Sequence, residues 1–231
     1  MTNNEPQPTS TSGPTSAPDP TAATHPAATA PVTTPPATPT EPISTLLETA
    51  AAHAVPVVSA IRDEQLTAPT PCAEYDVRQL LNHLMQVVSE FQKLAVKVNS
   101  DFTGDIPDRV AEPGWRDRFA EETAALAAAW AQPGAEDGNS GSMNLPARTV
   151  GVMGLVDVTV HAWDLARATG QDYDRNGPSP ATTATLNAFF DDMAPMARQY
   201  GVLGEPFPAP QDATDFEALL AATGRDPHWK P

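Results

Sequence analysis

The sequence contains only one cysteine, Cys72, among its 231 residues. One thiol cannot form an internal disulfide, and it excludes any metal site built from several cysteines. Basic residues are also scarce: 13 Lys and Arg stand against 29 Asp and Glu, which gives a formal charge of -16. Because this charge repels phosphate backbones, nucleic acid is not expected as a partner.

Long hydrophobic runs and targeting signals are also missing. The sequence predicts no segment long and apolar enough to span a membrane. Its beginning lacks both the basic start and the apolar run of a secretory signal peptide. We therefore expect no membrane partner and a cytoplasmic location.

Residues 1–42 have an unusual composition. They hold 11 of the 26 prolines but no Leu, Ile, Phe, Trp, Tyr, Lys or Arg. Such a segment cannot bury enough apolar surface to offset the entropy that is lost on ordering. The composition predicts a disordered tail, partly in the polyproline II conformation, over residues 1–42. Residues 43–231 remain for one folded domain, which is long enough for a sizeable core.

The rest of the chain has a helical pattern. Apolar residues recur at helical spacing, and no period-two alternation is sustained long enough to predict a sheet. Asp76 and Gln79 have the spacing of a capping box, and Gly170 provides a stop for a long helix. The expected helices cover about 43–66, 76–94, 115–131, 146–170, 180–200 and 215–222. This order predicts an all-α fold, an antiparallel four-helix bundle with additional C-terminal helices.

The fourth predicted helix carries a line of polar residues on an otherwise apolar surface. At 100° per residue, Asp157, His161 and Asp164 lie within a wedge of about 60°. Two explanations are open. The stripe is a solvent-facing strip in which Asp and His are hydrogen-bonded, or it faces an internal site.

The second predicted helix offers a possible partner for this stripe. His83 stands at the edge of its apolar face, where its side chain can turn toward a neighbouring helix. His83, Asp157 and His161 are therefore candidates to converge inside the bundle. Two imidazoles and one carboxylate form the ligand set of catalytic zinc sites and of non-haem iron or nickel sites.

Three motifs containing these residues resemble one known family. The motifs are TPCAEYDVRQLLNHL (70–84), DVTVHAWDLARATGQ (157–171) and LLAATGRDPHW (219–229). Together, and in this order, they resemble the metal-binding proteins related to mycothiol-dependent maleylpyruvate isomerase, within the DinB-like superfamily. The likeness covers nearly everything after the tail.

The resemblance implies a ligand set and a chemistry. It implies that His83, Asp157 and His161 bind a divalent metal, usually zinc, and that mycothiol is a possible cofactor. The isomerase itself has glutamate at the position of Asp157 and a separate C-terminal domain, so its maleylpyruvate substrate is not carried over.

Several other residues are assigned more simply. Asp164 is expected either to hydrogen-bond a ligand imidazole from the second shell or to form a helix salt bridge with Arg167. Cys72 has only Arg78 as a basic neighbour in sequence, which favours a structural thiol over a nucleophile. Trp163 is expected in the core, and His228 is expected to help fix the C-terminal end.

Two classes of function fit these expectations. The first is a metal-dependent enzyme, an isomerase or S-transferase that acts on a small electrophilic substrate with a thiol at the open metal position. The second is a non-catalytic metal-binding module with a stress-related or partner-binding role. A bundle without any metal is a third possibility.

Overall fold

The computed structural model describes residues 40–100, 102, 104–174, 177–199 and 203–231. Positions 1–39 of the predicted tail (1–42) therefore lie outside the described residues. The described part contains six α-helices and is all-α apart from one very small hairpin. The helices are α1 (Ile43–Ala60), α2 (Val77–Ala95), α3 (Trp115–Trp130), α4 (Ala147–Ala168), α5 (Pro180–Gln199) and α6 (Asp215–Ala222).

The first four helices form a bundle around one core. Helix α1 packs against α3 and α4, and α2 packs against the same two helices. Helix α5 contacts α4, α1 and α6. This arrangement confirms the predicted all-α bundle with added C-terminal helices, and it places α2 and α4, the two helices with candidate metal ligands, side by side.

Local signals in the sequence fix several helix ends. The Asp76 side chain accepts a hydrogen bond from the Gln79 backbone N–H at 2.8 Å, and the Gln79 side chain accepts from the Asp76 N–H at 3.0 Å. This reciprocal pair is the predicted capping box at the start of α2. Gly170 has φ of 68°, so it provides the left-handed residue expected just beyond α4.

Two expectations about secondary structure were wrong. Helix α1 ends at Ala60 instead of continuing to residue 66, because Ile61 is extended and a short 3₁₀ turn follows at Asp63–Gln65. The loop before α4 contains an antiparallel hairpin of two short strands, β1 (Asn139–Ser140) and β2 (Leu145–Pro146). Two residues per strand are too few to produce a visible period of two.

Helix α1 differs from the expectation that no segment is long and apolar enough to span a membrane. Within the described residues, this one helix is long and apolar enough to cross a membrane by length and composition. About 44% of its span is buried inside the protein, where it packs against α3 and α4. Core helices pass the same test, so this property is weak evidence for a membrane span.

A glycine allows α2 and α4 to approach closely. A Cβ atom placed on Gly154 of α4 would lie 2.9 Å from Cδ1 and 3.0 Å from Cγ of Phe91 on α2. The first distance is one that real Cβ atoms essentially never show, and the second is at the edge of that range, so a larger residue would require the Phe91 ring or α2 to shift. The absence of a side chain at Gly154 therefore helps to set the distance between the two helices that carry the candidate ligands.

Candidate metal centre

The structure brings the three predicted ligands together. His83 on α2 faces Asp157 and His161 on α4, and one potential ligand atom from each lies within 4.8 Å of the others. The two imidazole rings meet edge to face, with their centroids 5.2 Å apart at an angle of 85°. The polar stripe on α4 does not face solvent, because His161 is 6% and Asp164 0% exposed.

His161 lies between two carboxylates. Its Nδ1 is 3.0 Å from Oδ2 of Asp164, and its Nε2 is 3.5 Å from Oδ1 of Asp157. Burial opposes the charged ring, but the hydrogen bonds to Asp157 and Asp164 outweigh it and raise the pKa of His161 to about 9. In the neutral tautomer that keeps its proton on Nδ1 and donates it to Asp164, the Nε2 lone pair is on the side of Asp157 and His83. Because the raised pKa keeps a second proton on Nε2, a metal ion bound there would displace that proton.

Asp164 is held from its other side by an arginine far along the chain. Nη2 of Arg225 lies 3.1 Å from Oδ2 of Asp164, and Nε of Arg225 lies 3.4 Å from Oδ1. The alternative prediction, a salt bridge between Asp164 and Arg167, was wrong. The Arg167 guanidinium instead donates to the Trp229 carbonyl at 2.7 Å. Asp164 therefore links His161 to the segment that follows α6.

The other two ligands are more accessible. The side chain of Asp157 is 28% exposed, and His83 is half-buried. Burial lowers the pKa of His83, and the Asp157 charge only partly offsets this effect. The lowered pKa favours the neutral ring, which is the form that binds metals. The group is thus shielded from solvent at His161 and accessible to solvent at His83 and Asp157.

The turn before α2 covers part of the group. It carries Cys72, which with His161 and Asp164 forms a second set of possible ligand atoms within 4.8 Å of one another. Burial raises the pKa of Cys72, although the nearby Arg225 guanidinium opposes this change. The basic neighbour of Cys72 is therefore Arg225 and not Arg78, which pairs with Asp108 instead.

The chemistry of the donors distinguishes the two sets. In the Cys72 set, Asp164 is already neutralised by Arg225, and the thiol is held in its protonated form. In the set of His83, Asp157 and His161, no arginine or lysine of the described residues forms a salt bridge with the Asp157 carboxylate, and Asp164 orients one imidazole. The set of His83, Asp157 and His161 therefore fits a divalent metal, with the two imidazoles and one carboxylate typical of such sites.

The remaining assignments have mixed outcomes. Trp163 is buried, as expected for a core residue, at 5% exposed. His53, for which the sequence indicated no partner, lies 3.1 Å from the Pro178 carbonyl oxygen. His228 is exposed, and the C-terminal segment is anchored mainly through Arg225 and the Trp229 carbonyl.

Sequence reasoning missed the roles of two residues. Arg225 lies inside the recognised C-terminal motif and Tyr75 inside the first motif, but their partners were not predicted. Tyr75 stacks on the His83 ring with a centroid distance of 5.3 Å. A single arginine or tyrosine carries no periodic signal, so only the tertiary structure identifies the side chains that they contact.

The fold and the ligand group together define a class of protein, a helical bundle with a two-histidine, one-carboxylate group between adjacent helices. The family described as the mycothiol maleylpyruvate isomerase N-terminal domain matches residues 47–166. This chain belongs to that family, which is part of the DinB-like superfamily. The matched range includes all three candidate ligands and Asp164, but not Arg225.

Two curated proteins are similar to this chain over most of its length. They are the uncharacterized proteins MT0763 and Rv0738 from two strains of Mycobacterium tuberculosis. Each is 30% identical over 175 residues, which covers 71% of this chain and 87% of the relative. No solved structure gives a significant match.

Proposed function

We propose that this chain is a divalent-metal enzyme, most simply a zinc enzyme, that uses mycothiol. It would either isomerise a small electrophilic substrate or transfer the thiol sulfur to it. One observation carries the proposal: His83, Asp157 and His161 place three ligand atoms within 4.8 Å, in a family named for a mycothiol-dependent isomerase. A thiol cofactor and a small electrophile are accordingly the proposed partners, and the cytoplasm is the proposed location.

The protein residues would prepare the site in defined ways. A metal ion bound there would lower the pKa of a coordinated thiol and act as a Lewis acid. Asp164 would hold the proton on Nδ1 of His161, so that Nε2 remains available for coordination. Arg225 compensates the buried charge of Asp164, and the partial exposure of Asp157 leaves a side from which small molecules can approach.

The nucleophile in this proposal comes from outside the chain. Cys72 is the protein's single thiol, and burial keeps it protonated, so it is poorly suited to attack a substrate. A thiolate that adds to an activated double bond converts it to a single bond, and rotation about that bond followed by loss of the thiolate produces the isomer. In S-transfer the C–S bond is kept, and either a leaving group departs from the attacked carbon or the neighbouring carbanion takes up a proton.

A second candidate function rests on the position of Cys72. Its Sγ lies within 4.8 Å of a ring nitrogen of His161 and of an oxygen of Asp164. In this alternative the turn that carries Cys72 rearranges when metal binds, and the thiolate closes the coordination shell. A closed shell is typical of structural metal sites. The protein would then be a non-catalytic metal-binding module with a stress-related or partner-binding role.

Metal analysis tests the ligand set first. The purified protein should contain stoichiometric zinc, and His161→Ala and His83→Ala should each abolish it because they remove a nitrogen ligand. His53→Ala is the matched control, since that imidazole contacts the Pro178 carbonyl instead. Zinc that is retained in both ligand variants would contradict the proposed site.

Cobalt substitution separates the two functions. The cobalt form of Cys72→Ser should develop a thiolate charge-transfer band when mycothiol is added at millimolar concentration, and His161→Ala should not. No band in Cys72→Ser would remove mycothiol from the proposal. A band in the unmodified protein without added thiol would show that Cys72 closes the shell, which favours the structural module.

A further inference from the structure

The two candidate imidazole ligands are oriented by different interactions. His161 has a hydrogen bond from Nδ1 to Asp164, and that carboxylate is paired with Arg225. For His83, the structure shows no hydrogen bond from the ring to any residue in the described ranges. Metal-binding histidines usually have such a bond on the second nitrogen, so another contact must set the orientation of His83.

Tyr75 provides that contact. Its ring lies nearly parallel to the His83 imidazole, with an interplanar angle of 21° and a centroid distance of 5.3 Å. The His161 ring meets His83 edge-on. Aromatic rings prefer these offset-stacked and edge-to-face arrangements, so Tyr75 and His161 together restrict rotation of the His83 ring.

The backbone fixes the position of Tyr75. The buried Thr70 hydroxyl lies 2.9 Å from the Cys72 carbonyl oxygen and 2.7 Å from the Tyr75 carbonyl oxygen, and its single proton is shared between these two acceptors. The Tyr75 N–H also donates to the Cys72 carbonyl at 2.9 Å. The next residue, Asp76, is the N-cap of α2, so the turn is continuous with the helix that carries His83.

We infer that Tyr75 is a positioning residue for the metal centre, and that its ring face holds the His83 imidazole in the orientation that directs a nitrogen toward Asp157 and His161. This inference rests on the proposed function, because it assumes that these three side chains bind metal. It assigns the role to the ring and not to the phenol hydroxyl.

Zinc affinity of two variants tests the inference. In competition with a chromophoric chelator, Tyr75→Phe should bind zinc within about 2-fold of the unmodified protein because it keeps the ring. Tyr75→Leu should bind roughly 2- to 10-fold more weakly, the factor that corresponds to the energy of one aromatic pair. Tyr75→Met provides a second side chain without a ring if the leucine variant does not fold.

A matched control comes from the same protein. Tyr173 stacks on Phe216 with a centroid distance of 5.9 Å and an angle of 22°, and its other ring contact is His53, so it stacks on neither candidate ligand histidine. Tyr173→Leu should therefore lower the melting temperature without changing zinc affinity. The visible bands of the cobalt form report ligand orientation directly, and they should change in Tyr75→Leu but not in Tyr75→Phe or Tyr173→Leu.

The possible outcomes are distinct. Unchanged affinity and cobalt bands in Tyr75→Leu would overturn the inference and leave the metal site intact. Equal weakening in Tyr75→Phe and Tyr75→Leu would assign the effect to the hydroxyl and would also overturn it. If the unmodified protein binds no zinc, or if His83→Ala keeps it, the proposed function fails together with this inference.

Discussion

A single carboxylate, Asp164, connects the candidate metal centre to the C-terminal segment. It has no exposed surface; its Oδ2 contacts both His161 and Arg225, and its Oδ1 contacts Arg225. An ionised carboxylate at such a position requires these partners, because burial without them would strongly disfavour the charge. Asp164 therefore orients His161 only as long as Arg225 is in place.

Asp164→Asn is expected to weaken zinc binding by roughly 10- to 100-fold. The amide can still contact His161, but it has no charge with which to hold the imidazole proton. Chelator competition measures the change, and Asp191→Asn, at an exposed position on α5, is the control. Affinity that is unchanged in Asp164→Asn would show that this carboxylate has no influence on the ligand.

The sequence allowed some of these residues to be predicted and not others. Asp157, His161 and Asp164 share one helix face through local geometry alone, so their spacing was sufficient to predict the stripe. Arg225 is 61 residues from Asp164, and its approach depends on how α5 and α6 pack. No periodicity encodes such a distant contact, which explains why the nearer Arg167 was the expected partner.

At the level of helices, the spacing between α2 and α4 determines whether the ligands can meet. His83 belongs to one helix, and Asp157 and His161 belong to the other, so a shift of either helix separates the ligand atoms. Gly154 lies three residues before Asp157 and packs on the Phe91 ring of α2. The sequence predicted both helices, but it could not predict the depth of their contact.

Gly154→Ala should therefore affect both stability and metal binding. Overpacking against Phe91 lowers the free energy of unfolding by about 1–3 kcal/mol. The better helix propensity of alanine raises it by about 1 kcal/mol. We expect a net loss of unfolding free energy, measured by urea denaturation, and weaker zinc binding because α2 and α4 move apart. Gly104→Ala, where an added Cβ has no neighbour within 4 Å, should change neither property. An alanine variant with full zinc affinity would contradict the role of this spacing.

For the whole molecule, the first question is where the folded domain begins. The first described hydrogen bond from the N-terminal side joins the Glu41 carbonyl oxygen to Nη2 of Arg148 at 2.9 Å. Residue 43 then begins α1 with a fully buried isoleucine. The composition of the preceding segment, with almost no large apolar residues, predicts that it contributes little to the core.

Deletion of residues 1–40 should leave the melting temperature and the zinc content essentially unchanged. Calorimetry and metal analysis of the shortened protein measure the two quantities. Deletion of residues 1–46 is the comparison, because it also removes the buried Ile43 and Leu46 and should lower the melting temperature clearly. A large loss of stability in the shorter deletion would mean that the domain begins earlier.

The contact between Asp164 and Arg225 also has a consequence for the order of events during translation. At roughly 5–20 residues per second, the 61 residues between them take about 3–12 seconds to synthesise. All three candidate ligands are synthesised before that interval begins. Arg225, which compensates the charge of Asp164, is added only when the interval ends. A nascent chain that acquires metal early would do so with His161 incompletely oriented, and the finished geometry would be available only once the C-terminal segment had left the ribosome.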